Sequence, residues 1–378
     1  MSPQTGPPFG ARLEQARRAM SVAGTDVLLL SLGADLPWLS GYEAMPLERL
    51  TMLVVPAAGT PVLVVPQLEA PRVMARPDVF TVRAWAESED PVGLVATLVG
   101  GAVATRAGRR PVLGVSDRTW ATFVLRLQSL LPGFDWEVSS QVCAPLRAVK
   151  DDEEVATLAR AAAAADRVAV ALLSGEIALI GRTEREVSAE VRRRLLAEGH
   201  ERANFSIVAS GPNSASPHHE PTGRVIGRGE PVVCDFGGTL DGYCSDMTRT
   251  VVTGEPSAEL RRVYETVAEA QRAGVAAATV GTACQEVDRA ARRVIEEAGY
   301  GRYFVHRTGH GIGLEEHEGP YMVEGNTEVL RAGHAFSVEP GIYVPGEHGV
   351  RIEDIVVACE DGPRALNVAD HSLVVVEA

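Results

Sequence analysis

The sequence lacks most of the features that would sort it quickly into a class. It has only five cysteines, Cys143, Cys234, Cys244, Cys284 and Cys359. They are spread out, odd in number and form no Cys-x-x-Cys pair, which fits a reducing cytoplasm rather than a disulfide framework. The opening MSPQTGPPFG lacks the basic-then-apolar pattern of a secretory leader. Apolar runs such as TMLVVPAAGTPVLVVP are broken by Pro and Gly and fall short of the ~20 residues that cross a bilayer. Basic charge is scarce: 36 Lys and Arg stand against 50 Asp and Glu, for a net charge of −14 and a pI near 5.2. Neither nucleic acid nor an anionic membrane is therefore expected as the main partner. No Gly-x-Gly-x-x-Gly opens a helix after a strand, so no nucleotide site is read. Beyond a short Ala run there is no low-complexity tract, and there is no repeat. These absences leave a cytoplasmic globular protein as the expectation.

What is present is a chain of 378 residues, 46% hydrophobic, with a mean hydropathy of +0.03. That supports a sizeable core and, by length, two domains. In residues 1–148 strands such as DVLLLS, TPVLVVP and PVLGVS alternate with helices such as ARLEQARRAM and WATFVLRLQSLL, which predicts an α/β domain. AAG between LTMLVVP and TPVLVVP reads as a hairpin turn. At RAVKDDEEV the composition shifts. Asp151 to Glu154 open a long Ala-rich helix, where acidic side chains meet the positive end of the dipole. A second helix starts at Thr183, with Glu186 placed for a capping box. Runs of helices and runs of strands in residues 149–378 predict an α+β domain.

Within that second half lie five side chains of the metal-ligand type, each in its own frame. Asp235 is in CDFGG, Asp246 in YCSDMTRT, His310 in RTGHGIG, Glu339 in SVEPGIY and Glu353 in VRIEDIVV. Asp235 reads as the end of an apolar strand and Asp246 as the start of the return strand, a hairpin that can bring both to one side of a sheet. Taken singly, Asp235 reads as a turn residue and Asp246 as a solvated charge. Glu339 and Glu353 interrupt apolar strands, where a carboxylate is costly unless paired or metal-bound. His310 sits in a Gly-rich loop whose glycines permit close backbone approach. Four carboxylates in one pocket repel each other, and two divalent cations, with about four positive charges, would balance them. Oxygen ligands plus one imidazole suit Mn²⁺, Co²⁺ or Zn²⁺. His317 follows in EEHEGP, and His218 and His219 lie in the loop SGPNSASPHHEP, which is of the kind that can overhang a site. Arg351 orients a ligand carboxylate, binds a substrate carboxylate or makes an ordinary cross-strand ion pair.

The ordered set resembles the pita-bread metallopeptidases: Xaa-Pro dipeptidases (prolidases), Xaa-Pro aminopeptidases and methionine aminopeptidases. The N-terminal α/β domain matches the creatinase-like domain of the prolidase and aminopeptidase P branch, so the resemblance covers the whole chain. It implies a pita-bread catalytic domain over 149–378 and two divalent ions per subunit. Asp235 would then hold one ion, His310 and Glu339 the other, and Asp246 and Glu353 both. It implies that His218 and His317 steady the tetrahedral intermediate and that Glu339 carries the proton to the proline nitrogen. The implied activity is hydrolysis of the Xaa-Pro bond of di- or short peptides by a homodimer, foremost as an Xaa-Pro dipeptidase. The alternatives are an aminopeptidase acting on longer peptides, a metal-free hydrolase and a non-catalytic binding module; the last two would be expected to break the ligand set.

A dipeptidase must cap the carboxylate of its substrate, usually with an arginine. The loop GADLPWLSGYEAMPLERL carries Asp35 and Arg49. Arg49 or Arg351 is expected to limit substrate length; Asp35 and Arg49 also read as a surface pair.

Overall fold

The computed structural model describes residues 9–103 and 109–377. Residues 1–8, most of the opening MSPQTGPPFG, lie outside this range. The chain divides into two compact units, Met1–Arg147 and Ala148–Ala378. Among the described residues no helix is long and apolar enough to cross a membrane.

The first unit is a six-stranded mixed sheet. Its strands are β1 (Val27–Leu30), β2 (Met52–Pro56), β3 (Val62–Pro66), β4 (Thr81–Trp85), β5 (Val112–Val115) and β6 (Asp135–Val138), in the order β4-β3-β2-β1-β5-β6. β2 and β3 form the antiparallel hairpin expected around AAG. β5 runs parallel to β1 and β6 parallel to β5. Helices α1 (Phe9–Ala23), α2 (Asp35–Ser40), α3 (Pro91–Ala102), α4 (Ala121–Leu130) and α5 (Ser140–Ala148) are interleaved with the strands. Val92, Val95 and Val99 recur at helical spacing on α3 and pack with Leu127 of α4 onto Val27, Leu29, Met52, Val54 and Leu113.

The second unit opens with α6 (Asp152–Leu173) and α7 (Glu184–Ala197). Both start in complete capping boxes, Asp151 with Glu154 and Thr183 with Glu186, because each side chain satisfies an orphan backbone donor of the other's residue. Strands β7 (Arg202–Ser210), β8 (Glu230–Leu240), β9 (Tyr243–Cys244) and β10 (Met247–Thr253) follow, then α8 (Ala258–Ala277) and α9 (Cys284–Glu297). The remaining strands are β11 (Gly309–Gly311), β12 (Glu318–Met322), β13 (Ala335–Val338), β14 (Gly341–Val344), β15 (His348–Arg351), β16 (Asp354–Val357), β17 (Arg364–Ala365) and β18 (Val375–Val376). One sheet has the order β18-β10-β8-β7, with β9 on β8; another is β12-β11-β13-β16-β17, and β14 pairs with β15 alone. The expected α+β arrangement is met, with two departures. AFSVEPGIYV and VRIEDIVVA, read as single strands, each break at their glutamate, and RTGHGIG holds a short strand rather than only a loop.

Strand alternation sets the faces. Val232, Cys234 and Phe236 of β8 join Met247 and Val251 of β10 in a core with Ala165, Leu172, Val187 and Val191 of α6 and α7. Asp235 lies between Cys234 and Phe236, so it points to the face away from those helices.

Candidate metal centre

Asp235 is in the interior of β8 rather than at its end, because the strand continues to Leu240. Asp246 immediately precedes β10, whose residue Thr248 pairs with Asp235. The expected hairpin thus exists and carries both aspartates. Asp235 Oδ2 accepts from Arg351 Nη2 at 2.6 Å, whereas its Oδ1 is buried with no hydrogen-bond partner.

Glu339 and Glu353 come from a second hairpin. β13 pairs with β16 and β14 with β15, and the register carries on unbroken from Val338↔Asp354 to Gly341↔Arg351. That register places Glu339 opposite Glu353, at the point where the ladder opens. The two carboxylates interrupt the strands because they turn into the cavity instead of continuing the sheet. Glu353 Oε2 accepts from Thr248 Oγ1 at 2.7 Å, and the backbone N–H of Glu353 donates to the Thr248 carbonyl, which ties this hairpin to β10.

His310 is the middle residue of β11, squeezed between β12 and β13. A Cβ on Gly309 would lie 1.8 Å from the Ser337 carbonyl oxygen, and one on Gly311 would lie 2.2 Å from that of Gly319. Glycine is required at both positions for the strand to fit. The His310 Nδ1–H donates to the Gly311 carbonyl at 3.1 Å, leaving Nε2 as a lone pair facing Glu339 Oε1 at 3.3 Å and Asp246 Oδ2 at 3.7 Å.

The five side chains converge in one cavity of about 430 Å³. Asp235, Asp246 and Glu353 form one triad of potential ligand atoms within 4.8 Å of each other, and His310, Glu339 and Glu353 form another. Glu353 belongs to both. Asp246 also groups with His310 and His317. Burial, reinforced by Glu353, Asp235 and Glu339, pushes the Asp246 carboxyl well above the ordinary range. Burial, with Glu339 and Asp235, does the same to Glu353. Glu339 is pushed up to about 7 by burial, against the pull of Arg351. His310 is pushed down to about 3 by burial and then by His317. Such a cluster binds protons where it could bind cations. The partnerless Asp235 Oδ1 and the lone pair on His310 fit a cation ligand set of hard oxygens and one imidazole.

The sequence of this chain matches the metallopeptidase family M24 over residues 156–360 and the creatinase/prolidase N-terminal domain over residues 12–149. The chain belongs to the M24 metallopeptidase family. It is 44% identical to the probable dipeptidase PepE of Mycobacterium tuberculosis, over 97% of this chain and 96% of that protein. It is 36% identical to the Xaa-Pro dipeptidase of Lactobacillus helveticus, over 96% and 98% of the two chains. Among solved structures, the prolidase of Thermococcus sibiricus superposes with a TM-score of 0.91 at 35% identity, covering 97% of this chain and 99% of that one. The M24 chain is therefore a hydrolase with a creatinase-type N-terminal domain and a pita-bread C-terminal domain. Its family membership implies use of divalent metal.

His218 and His317 both line the cavity of this metallopeptidase and are exposed. The His317 ring lies against that of His310, with centroids 3.9 Å apart. Glu318, the next residue, accepts from Lys150 Nζ at 2.6 Å, a buried pair that uses the only lysine in the sequence. Arg351 also lines the cavity, but it is spent on protein groups. Nε donates to Thr248, Nη1 to Tyr343 and the Pro217 carbonyl, and Nη2 to Asp235. Of its three expected roles, these bonds fit the orientation of the Asp235 carboxylate. Asp35 does not form the surface pair with Arg49 that the sequence also allowed. It is buried in the first unit, where its oxygens accept from Arg147 Nε at 2.8 Å and Ser139 Oγ at 2.7 Å, a structural pairing. Arg49, also of the first unit, is paired at the surface with Glu48 and Glu87.

Sequence reasoning passed over three contributors. His306 lines the cavity; its Nδ1–H donates to the Arg307 carbonyl, so Nε2 accepts from the Tyr343 hydroxyl at 2.9 Å. Tyr343 in turn accepts from Arg351 at 2.8 Å, so the chain of contacts ends on Asp235. Proximity in sequence was the available signal, since His306 shares the segment HRTGH with His310. The third is Glu184, fully buried at the start of α7. It accepts from Ser210, Asn213, His219 and Thr222, the loop that carries His218.

Proposed function

We propose that this metallopeptidase hydrolyses the Xaa-Pro bond of dipeptides and other short proline peptides. In this reading two divalent ions, Mn²⁺, Co²⁺ or Zn²⁺, are held by Asp235, Asp246, His310, Glu339 and Glu353. The observation that carries the reading is one carboxylate, Glu353, common to two ligand triads in a single cavity. The dipeptidase and Xaa-Pro dipeptidase names of its relatives support the substrate class.

When bound, the ions would polarise the scissile carbonyl and lower the pKa of water. The remaining work falls to the chain. Arg351 fixes Asp235, and Thr248 fixes Glu353, so that their free oxygens face inward. Glu339 Oε1 is engaged by Ser337 Oγ at 3.2 Å, which leaves Oε2 to take a proton from water as the water oxygen bonds to the scissile carbonyl carbon, and to pass that proton on as the C–N bond breaks. The recipient is the proline nitrogen, which has no N–H in the peptide and must gain one to leave. His218 and His317, at the rim, donate to the carbonyl oxygen as charge builds on it.

The test is to strip the protein with a chelator, add back each metal, and assay Gly-Pro, Leu-Pro and Leu-Pro-Gly. Metal-restored cleavage of the dipeptides is expected. A metal-loaded protein inactive on every proline peptide would contradict the reading.

A further inference from the structure

Two arginines line the cavity, and they are used differently. Arg351 places all its nitrogens on protein acceptors. Arg307 has no hydrogen bond or ion pair to its guanidinium among the described residues. It lies over the ring of Tyr321, 4.3 Å from the centroid. Tyr321 is the β12 partner of His310 in the β11–β12 ladder, so the stacked cation stands beside the metal-ligand cluster. Glu316, which also lines the cavity, makes no ion pair with it among the described residues.

The backbone that carries Arg307 is tied down on both sides. Arg292 donates to the carbonyls of Phe304 and His306, and Asp288 Oδ1 accepts from the N–H and hydroxyl of Thr308. The His306 ring holds the Arg307 carbonyl itself. A cation on a fixed main chain, stacked on an aromatic ring and lacking an anion, is preorganised for one.

We propose that Arg307 is the specificity-determining residue that binds the free C-terminal carboxylate of the substrate. The inference rests on the Xaa-Pro reading and narrows it to dipeptides. In Xaa-Pro the carboxylate is borne by the residue directly after the scissile bond, and consecutive Cα atoms are about 3.8 Å apart. A substrate whose carbonyl lies over the five ligands thus carries its negative charge to the neighbouring wall, where the guanidinium fork can receive both oxygens. A longer peptide offers a neutral amide there instead.

The experiment compares holoenzyme forms of the wild type, R307K, R307Q and R49Q on Leu-Pro and on Leu-Pro amide, which differ only in that charge. Metal content and Tm are measured alongside. The wild type should prefer the acid. R307Q should lower kcat/KM for Leu-Pro by on the order of 10- to 100-fold, mostly through KM, while changing the amide about twofold or less. R307K should fall between, since an ammonium keeps the charge and loses the fork. An acid-over-amide preference that survives R307Q, or that vanishes in R49Q instead, overturns this inference alone. An equal loss on acid and amide does the same. A wild type that cleaves no Xaa-Pro peptide overturns the substrate reading and this inference with it.

Discussion

Arg351 Nη2 donates to Asp235 Oδ2 across 2.6 Å, and both side chains are buried. The bond takes one oxygen of the aspartate and leaves the other, Oδ1, buried without a partner. Arg351→Lys should therefore weaken metal retention by roughly 10- to 100-fold, as removal of a ligand's orienting partner does. Metal analysis after dialysis against graded chelator checks this. Retention equal to wild type would mean that Arg351 does not orient Asp235.

Glu353 and Asp246 each belong to more than one group of ligand atoms. Asp246→Ala and Glu353→Ala should each lose metal and abolish peptidase activity. Substantial activity in either variant would count against a shared role.

His317 is within ligand distance of Asp246 and His310, yet it is exposed at the rim. His317→Ala should keep its metal and turn over on the order of 100-fold more slowly, the scale of losing one donor to a developing oxyanion. Loss of metal together with rate would make His317 a ligand instead.

Glu184 offers a pH test of the loop beneath His218. Despite its burial, hydrogen bonds from Thr222, His219, Ser210 and Asn213 hold its carboxyl down at about 2, below its ordinary 4.5. A carboxylate with a depressed folded pKa stabilises above its unfolded pKa and loses that contribution as pH falls. Glu184→Gln should be less stable than wild type at neutral pH by on the order of 3 kcal/mol, with the gap closing between pH 4.5 and about 2. Paired denaturation curves at several pH values measure it; a gap independent of pH would contradict the assignment.

Glu184 should also act through His218. In a double-mutant cycle, Glu184→Gln should slow the wild type and add little to His218→Ala. Fully additive losses would make Glu184 a stability residue only.

Three of the five candidate ligands were legible because they violate their local context. Glu339 and Glu353 interrupt apolar strands, and Asp235 follows three apolar residues inside one. Capping boxes such as Thr183 with Glu186 were legible because they close within one turn. The division of each glutamate-bearing strand between two sheets was not, because the break depends on a partner strand opening at the same place. β11 was missed because three residues with two glycines carry no strand propensity, and it forms only by slotting between β12 and β13. The partner of Asp35 was missed for a related reason. Arg147 is 112 residues away, and no local pattern links them. The path from His306 through Tyr343 to Arg351 is likewise a product of packing.

The claim beneath all of this is that five side chains, remote in sequence, hold two cations in one cavity. Anomalous diffraction at the metal edge of Mn²⁺- or Zn²⁺-loaded crystals tests it most directly. The account predicts two adjacent peaks per chain, one against Asp235 and one against His310 and Glu339, with Asp246 and Glu353 touching both. A single peak, or peaks outside the space enclosed by these residues, would contradict it.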